Sequence, residues 1–204
     1  MEDYTMSSVE ENIRDAFIVV HNTHENAEKL MGFCRTIAEE KTNYNNVNGK
    51  FLRWRSDNQS LGWCIDDFIL LFQRETDKML PNEWRDGPIY AMEIMLSNDE
   101  DPKQVPTIYL SKFEYENIAS WNKGYSPTNH WQCFYYPLRD KDTMEFQSNG
   151  EIISVATPKT KEIAEQEYLG LKKVSFMDLT LIGINAENAE EKIFGNFEKL
   201  FLSN

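Results

Sequence analysis

The stretch that decides the fold is SVEENIRDAFIVVHNTHENAEKLMGFCRTIAEE, residues 8–40. Within it, a set of mainly apolar or small residues, which we call the stripe, recurs at alternating spacings of four and three: Ile13, Phe17, Val20, His24, Ala27, Met31, Cys34 and Ala38. A repeat with a mean spacing of ~3.5 residues places one stripe of side chains along a helix that packs against another element. The sequence therefore predicts one continuous helix, about 50 Å long at a rise of ~1.5 Å per residue.

A helical hairpin that breaks at Asn22 and Thr23 is the alternative, because residues 19–23 include poor helix formers. In that interpretation Thr23 caps a second helix. The stripe keeps its phase across this point, which a turn of arbitrary length has no reason to preserve. A continuous pattern longer than ~25 residues also favours a coiled coil or another extended helical partner.

Histidine and carboxylate side chains on this helix raise a metal hypothesis. His21, His24, Glu25 and Glu28 fall within about 100° of one another on a helical wheel. Imidazole and carboxylate groups are both zinc ligands. The alternative is that His24 is a hydrogen-bonded histidine within the packed stripe and that the carboxylates are solvated. We predict no cofactor and keep His21, His24 and Glu28 only as an alternative metal site.

The composition bounds the class of protein. The chain has 204 residues, of which 41% are hydrophobic and 13% aromatic, so it is able to bury a real core and is not of the disordered class. Its formal net charge of −13 disfavours generic binding to nucleic-acid phosphates or anionic lipid. No repeat, low-complexity tract or linker is visible, so one domain over residues 1–204 is predicted.

The cysteines and the hydropathy of the chain predict its compartment. Cys34, Cys64 and Cys133 include no Cys-x-x-Cys pair, which indicates reduced thiols. The first residues lack the basic and apolar segments of a signal peptide. No run approaches the ~18 apolar residues of a membrane span. We therefore expect a cytoplasmic protein that does not insert into a membrane.

Residues 50–184 are predicted to form a mainly antiparallel sheet with short helices. Residues 42–50 read as a turn, and strands are predicted at residues 51–55, 89–97, 107–116, 130–138, 151–156 and 174–184. Strands 89–97 and 107–116 should pair as antiparallel neighbours, with one face partly in water.

Two further segments complete the predicted fold. The run 61–74 is ambiguous between a helix and a strand, and a strand from about Phe68 onward is favoured. A short acidic helix is predicted over residues 160–169, and Asn185 caps a C-terminal helix over residues 185–202. The layout predicts an α+β fold in which the long N-terminal helix and the C-terminal helix pack on the sheet.

Carboxylates carry the enzymatic hypothesis, because the chain has no GxGxxG, P-loop, GxSxG or HExxH signature. Acidic residues lie on or near successive predicted strands: Asp66, Asp67, Glu93, Glu114 and Glu116. Such groups could converge to hold Mg²⁺ or to form an acid–base pair. A metal-dependent hydrolase built on Asp67 and Glu93 is therefore one alternative. Against a nuclease of the restriction-enzyme type, Met95 stands where a Glu-x-Lys motif needs its lysine.

The most unusual local composition is the aromatic density from Tyr109 to Tyr136. Phe134, Tyr135 and Tyr136 are consecutive and cannot all face one side of a sheet, so some aromatic surface lies under a helix, a partner or a ligand. The small-molecule alternative is a pocket lined by Trp121, Tyr125, His130, Trp131 and Tyr135.

The preferred functional interpretation is recognition of a macromolecular partner without catalysis. The chain would act as a homo-oligomer, using either the helix over residues 8–40 or the aromatic face of the sheet. The metal-dependent hydrolase and the small-molecule pocket are the two alternatives.

Overall fold

A computed structural model of the chain describes residues 6–47, 52–53, 65–98, 101, 103–122, 131–149 and 152–203. The first helix, α1, runs without a break over Met6–Lys41, 36 residues. At ~1.5 Å per residue it is about 54 Å long. The Thr23 hydroxyl donates to the Val19 carbonyl at 2.8 Å, a bond within one helix. The continuous helix is confirmed, and the hairpin alternative is wrong.

The stripe along α1 divides into a buried half and an exposed half. Its C-terminal part is buried, at Ala27, Met31, Cys34, Ile37 and Ala38. None of the residues from 8 to 26 is buried. The repeat thus predicted the helix correctly, but only its second half packs on the rest of the described chain.

The strands form one antiparallel sheet. They are β1 Tyr44–Asn46, β2 Leu52–Arg53, β3 Asp67–Arg74, β4 Ile89–Met95, β5 Thr107–Tyr115, β6 Met144–Asn149, β7 Ile153–Pro158 and β8 Leu171–Thr180. The order across the sheet is β1-β3-β4-β5-β8-β7-β6. Both β1 and β2 pair with β3, on the edge that faces away from β4.

Helical segments cover both faces of this sheet. The α-helices after α1 are α2 Lys161–Gln166 and α3 Gly195–Leu202, and α3 continues a π-helical turn over Glu190–Phe194. Further short turns lie at Ile118–Ser120, Trp131–Tyr135 and Tyr136–Leu138. The architecture is α+β, as the sequence predicts, with α1 and α3 packed on the sheet.

The first face of the sheet, on which α1 and α3 lie, is closed by aromatic rings. Tyr44 of β1 and Tyr90 of β4 meet edge to face at 5.0 Å between ring centroids. The Phe197 ring of α3 lies 5.4 Å from Tyr90 and 5.8 Å from Phe72. Ile193, Phe197 and Leu200 are fully buried and form the core side of this C-terminal segment.

The second face lies opposite and is covered by residues 131–138. Phe134 from this segment meets Phe113 of β5 at 5.2 Å, and Tyr115 donates a hydrogen bond to the Cys133 carbonyl at 2.8 Å. Strands β4 and β5 pair in antiparallel register, with Met92 opposite Leu110, as predicted. The expectation that one face of this pair lies partly in water is wrong, because β4 is buried throughout and β5 nearly so.

The predicted strand over residues 130–138 is also wrong. Residues 131–135 form a π-helical turn and residues 136–138 a 3₁₀ turn, while His130 lies outside the described residues. Helical spacing lets the Trp131 ring stack on the Tyr135 ring, with centroids 4.0 Å apart and planes 6° from parallel. Pro137 cannot donate a hydrogen bond to a strand ladder. Both features favour a helical turn over a strand.

Other boundaries differ in smaller ways. Residues 44–46 are a strand and not part of a turn, because Tyr44 fits into the core and the Asn46 side chain donates to the Leu71 carbonyl at 2.9 Å. Strand β6 was not predicted, and β8 begins three residues before the predicted start at Val174. Strand β3 resolves the ambiguous run in favour of a strand, although residues 61–64 lie outside the described ranges.

Candidate functional site

The two carboxylates of the enzymatic hypothesis, Asp67 and Glu93, are neighbours on the second face of the sheet. Asp67 opens β3, and Glu93 of β4 pairs with Ile69, two residues further along β3. Alternation along a strand puts Asp67 and Ile69 on the same face, so Asp67 and Glu93 are diagonal cross-strand neighbours. Asp67 is 4% and Glu93 1% exposed.

Arg139, which follows the 3₁₀ turn, supplies the positive charge of the site. Its Nη2 donates to Glu93 Oε1 at 2.7 Å. The same guanidinium lies 3.8 Å from the centroid of the Tyr135 ring and 5.0 Å from that of Tyr109. Stacked aromatic faces and a bonded carboxylate suit a partly desolvated guanidinium. We call Asp67, Glu93, Tyr109, Tyr135 and Arg139 the Arg139 cluster.

Helical spacing assembles this cluster. Trp131, Tyr135 and Arg139 are each four residues apart, so their side chains form one column that ends on Glu93. The carboxylates and two of the aromatic residues that the sequence singled out thus belong to one site. Trp121 lies elsewhere on the second face, 4.6 Å from Tyr115 and 5.4 Å from Trp84 between ring centroids. Tyr125 lies outside the described residues, as His130 does.

Hydrogen-bond accounting identifies two buried carboxyl groups that a single shared proton would satisfy. In the described part of the chain, neither oxygen of Asp67 nor Oε2 of Glu93 has a hydrogen-bond donor. Burial, and next the negative charge of Glu93, raise the pKa of Asp67 well above its usual value, and the two carboxyl groups lie within hydrogen-bonding reach. A proton on Asp67 that is donated to Glu93 satisfies both groups at once.

With that proton in place the Arg139 cluster is electrically balanced. The carboxyl pair then carries one negative charge and Arg139 one positive charge. Burial works against the charge of Arg139, but the attraction of Glu93 and then of Tyr135 and Asp67 prevails, and the pKa of the guanidinium is raised. The site is therefore a neutral buried carboxyl beside a buried ion pair.

This arrangement does not favour the hydrolase. Asp67 and Glu93 are closed to solvent, so a substrate has no access to their oxygens. Arg139 bonds one oxygen of Glu93, and its positive charge repels a divalent cation there. Among the residues with described positions, no three His, Cys, Asp or Glu side chains are grouped so as to hold a metal.

The remaining carboxylates scatter. Asp66 accepts a hydrogen bond at 3.1 Å from the hydroxyl of Ser97, a residue outside the cluster. Glu114 pairs with Lys112 at 3.4 Å and with Lys173 at 3.3 Å. Glu116 is exposed. Only Asp67 and Glu93 of the five acidic candidates therefore share a site.

The alternative metal site on α1 is not assembled either. The His24 ring packs edge-on against Phe68, with centroids 5.7 Å apart. Glu25 pairs with Lys29 at 2.9 Å, and the side chains of His21 and Glu28 are exposed. His24 thus lies at the margin of the core. This position agrees better with a packed histidine than with a metal ligand.

A second candidate surface is the exposed half of α1, residues 8–26. Five of its large apolar side chains are half exposed or nearly so: Val9, Ile13, Phe17, Ile18 and Val19. Val9, Ile13 and Val20 lie on the side of the helix that leads directly into the buried Ala27 and Met31. The core-facing stripe therefore continues beyond the core.

Arg139 is the residue of the site that sequence reasoning missed. The signal was present in the four-residue spacing of Trp131, Tyr135 and Arg139, which is a helical spacing. It was hidden because these residues were read as a strand that ends before Arg139.

Comparison with known proteins gives no relative for this chain: no family model, no curated protein and no solved structure matches it. Within the described ranges, none of the helices combines the length and the apolar content that crossing a bilayer requires.

Proposed function

We propose that this chain acts by recognising a macromolecular partner, without catalysis, and that the partner is a second copy bound along the exposed half of α1. The observation that carries this proposal is the apolar stripe that continues along α1 after the core has ended. Ile13 on this stripe is 56% exposed.

Helix energetics support a partner at this place. An isolated helix of fewer than about 15 residues is marginal in water, and most helical stability in proteins comes from packing an apolar face. The exposed half of α1 packs little of its apolar face and includes β-branched residues, which are poorer helix formers. Packing against another surface stabilises such a segment.

The pattern of the stripe favours a second helix of the same kind. Alternating spacings of four and three residues match the packing of two helices along a common seam. Two identical stripes are complementary when they are related by a two-fold axis, the commonest symmetry of homo-oligomers. The aromatic face of the sheet does not compete as a surface, because Phe113, Tyr115 and Phe134 are buried within the chain.

The size of the stripe sets the expected affinity. The exposed half, residues 8–26, spans about 29 Å, and a contact strip roughly 10 Å wide covers on the order of 600 Å² over both copies. Stable specific interfaces bury more than ~1,000 Å². We therefore expect a weak association that depends strongly on protein concentration.

Sedimentation equilibrium over a wide range of protein concentration tests this proposal. Ile13→Glu places a charge on the stripe and should weaken self-association at least about tenfold, because the carboxylate would be desolvated at the contact. Val19→Glu is the matched control: it adds the same charge to the same helix, about 120° away from Ile13. Val19 is 62% exposed, so neither variant disturbs the core.

Two results would overturn this assignment. A wild-type chain that stays monomeric at high concentration excludes self-association through α1. Equal weakening by Ile13→Glu and Val19→Glu would show that added charge, and not the stripe, determines association.

A further inference from the structure

We propose that Asp67, Glu93 and Arg139 form a proton-controlled latch, which holds residues 131–139 on the sheet while one proton is shared and releases them when it is lost. This inference is independent of the self-association of α1. It concerns the segment that closes the second face of the sheet.

The latch joins a segment to the sheet at one end. Residues 131–138 pack on the second face through the buried Trp131, Cys133 and Phe134. Beyond them, the contact between Arg139 and Glu93 at 2.7 Å ties the end of the segment to β4. Arg139 also donates to the Tyr135 carbonyl at 3.2 Å, so the guanidinium braces its own helical turn.

The charge balance of the cluster depends on the shared proton. With it, one carboxylate faces one guanidinium. Without it, Asp67 and Glu93 both carry a buried negative charge, and within the described ranges Arg139 alone supplies a positive charge beside them. Neither Asp67 oxygen has a donor over the ranges described, so the second charge gains no hydrogen bond there. Two adjacent buried carboxylates repel each other, and opening of the segment admits water to them.

The groups around the carboxyl pair come from every element packed on it. β5 contributes Tyr109, whose hydroxyl accepts a hydrogen bond from Gln104 at 2.8 Å. β8 contributes Asp178, which acts on Tyr109, and the entry to β3 contributes Asp66. Arg139 is the one cation among the described residues that acts on Asp67. In the part of the chain that the structure describes, no second cation therefore acts on Asp67 to replace the proton.

The direction of the pH effect follows from proton binding. An aspartate in water loses its proton near pH 4, whereas Asp67 in the closed state keeps it to higher pH because burial and Glu93 raise its pKa. The closed state thus binds more protons than the open one, so rising pH favours opening. Below about pH 4 both states are protonated and the effect vanishes. The apolar anchors keep the open state a minor population.

Alkylation of Cys133 measures this minor opening. Cys133 belongs to the segment 131–138 and is fully buried between it and the second face of the sheet. Cys34 belongs to α1 and is fully buried on the first face. Mass spectrometry assigns the alkylation rate to each thiol, and the rate in the unfolded chain corrects for thiol chemistry. Above about pH 4, protection of Cys133 should fall by up to about tenfold per pH unit for as long as the closed state keeps the Asp67 proton that the open state loses, with Cys34 much less affected.

The variant Asp67→Asn should abolish this slope, because its amide is neutral at every pH and is able to donate to Glu93. Glu116→Gln, which changes an exposed carboxylate outside the cluster, is the control and should retain the wild-type slope. Protection of Cys133 that is constant with pH, or that falls in step with Cys34, would overturn the latch. So would an unchanged slope in Asp67→Asn. If that variant fails to fold, the ratio of the two wild-type rates still decides the question.

Discussion

Two ion pairs of similar length show how burial decides what a charge contributes. Arg14 contacts Asp15 at 2.9 Å with both side chains more than half exposed. Arg139 contacts Glu93 at 2.7 Å, where the Glu93 side chain is 1% exposed. Exposed pairs contribute about 0–1 kcal/mol, whereas removal of one partner from a buried pair costs about 3–5 kcal/mol because it strands a charge.

We therefore expect Arg139→Ala to lower the free energy of unfolding by about 3–5 kcal/mol near neutral pH. The loss should be smaller in mild acid, because the buried carboxyl pair, left without its cation, then takes up a further proton. Urea denaturation at two pH values measures both effects. Arg14→Ala is the control and should change stability by less than about 0.5 kcal/mol at either pH. A deficit of Arg139→Ala that does not vary with pH would contradict this account.

Among the elements, α1 shows that the two halves of one helix contribute differently to the free energy of unfolding. Met31 lies in the buried half, where a cavity forms if the side chain is shortened, and Ile13 lies in the exposed half. The stabilising contribution of α1 to the monomer should therefore be confined to its C-terminal part.

Truncation of one residue in each half tests this division. Met31→Ala should lower the free energy of unfolding by about 2–5 kcal/mol, the cost of deleting a buried side chain of this size. Ile13→Ala should change it by no more than about 0.5 kcal/mol. Both are measured by denaturation of dilute protein, so that self-association does not contribute. A large effect of Ile13→Ala in dilute solution would show that the exposed half packs within the monomer.

The elements also show what a sequence is able to predict. The phase of the stripe predicted α1, and the alternating or continuous apolar runs predicted β3, β4 and β5, because these patterns express burial directly. The same reasoning wrongly predicted a strand for the segment from Trp131 to Leu138. It is apolar on all sides and short, so its period does not distinguish a strand from a helical turn.

The Arg139 cluster was predictable in part. Glu93 interrupts an otherwise apolar strand, and the sequence predicted that its carboxylate and that of Asp67 could lie close together. The contact between Arg139 and Glu93 was not predictable, because 46 residues separate them along the chain. Only the conformation of the intervening turns brings the guanidinium to the carboxylate.

At the scale of the whole molecule, the net charge of −13 acts against self-association. Two copies repel each other over distances set by the Debye length, which falls from about 30 Å at 0.01 M ionic strength to about 8 Å at 0.15 M. We therefore expect added salt to strengthen association through α1. Sedimentation at the two ionic strengths measures the change. Weaker association in salt would instead indicate a contact made by opposite charges.

The exposed half of α1 also determines how far apart the sheets of two associated copies would lie. A straight helical arm of about 30 Å is roughly the diameter of a small domain. Copies that meet through such arms hold their sheets apart, with a gap between them that other molecules are able to enter. The resulting particle is a dumbbell, and small-angle scattering would register two separated masses where close-packed globules give one.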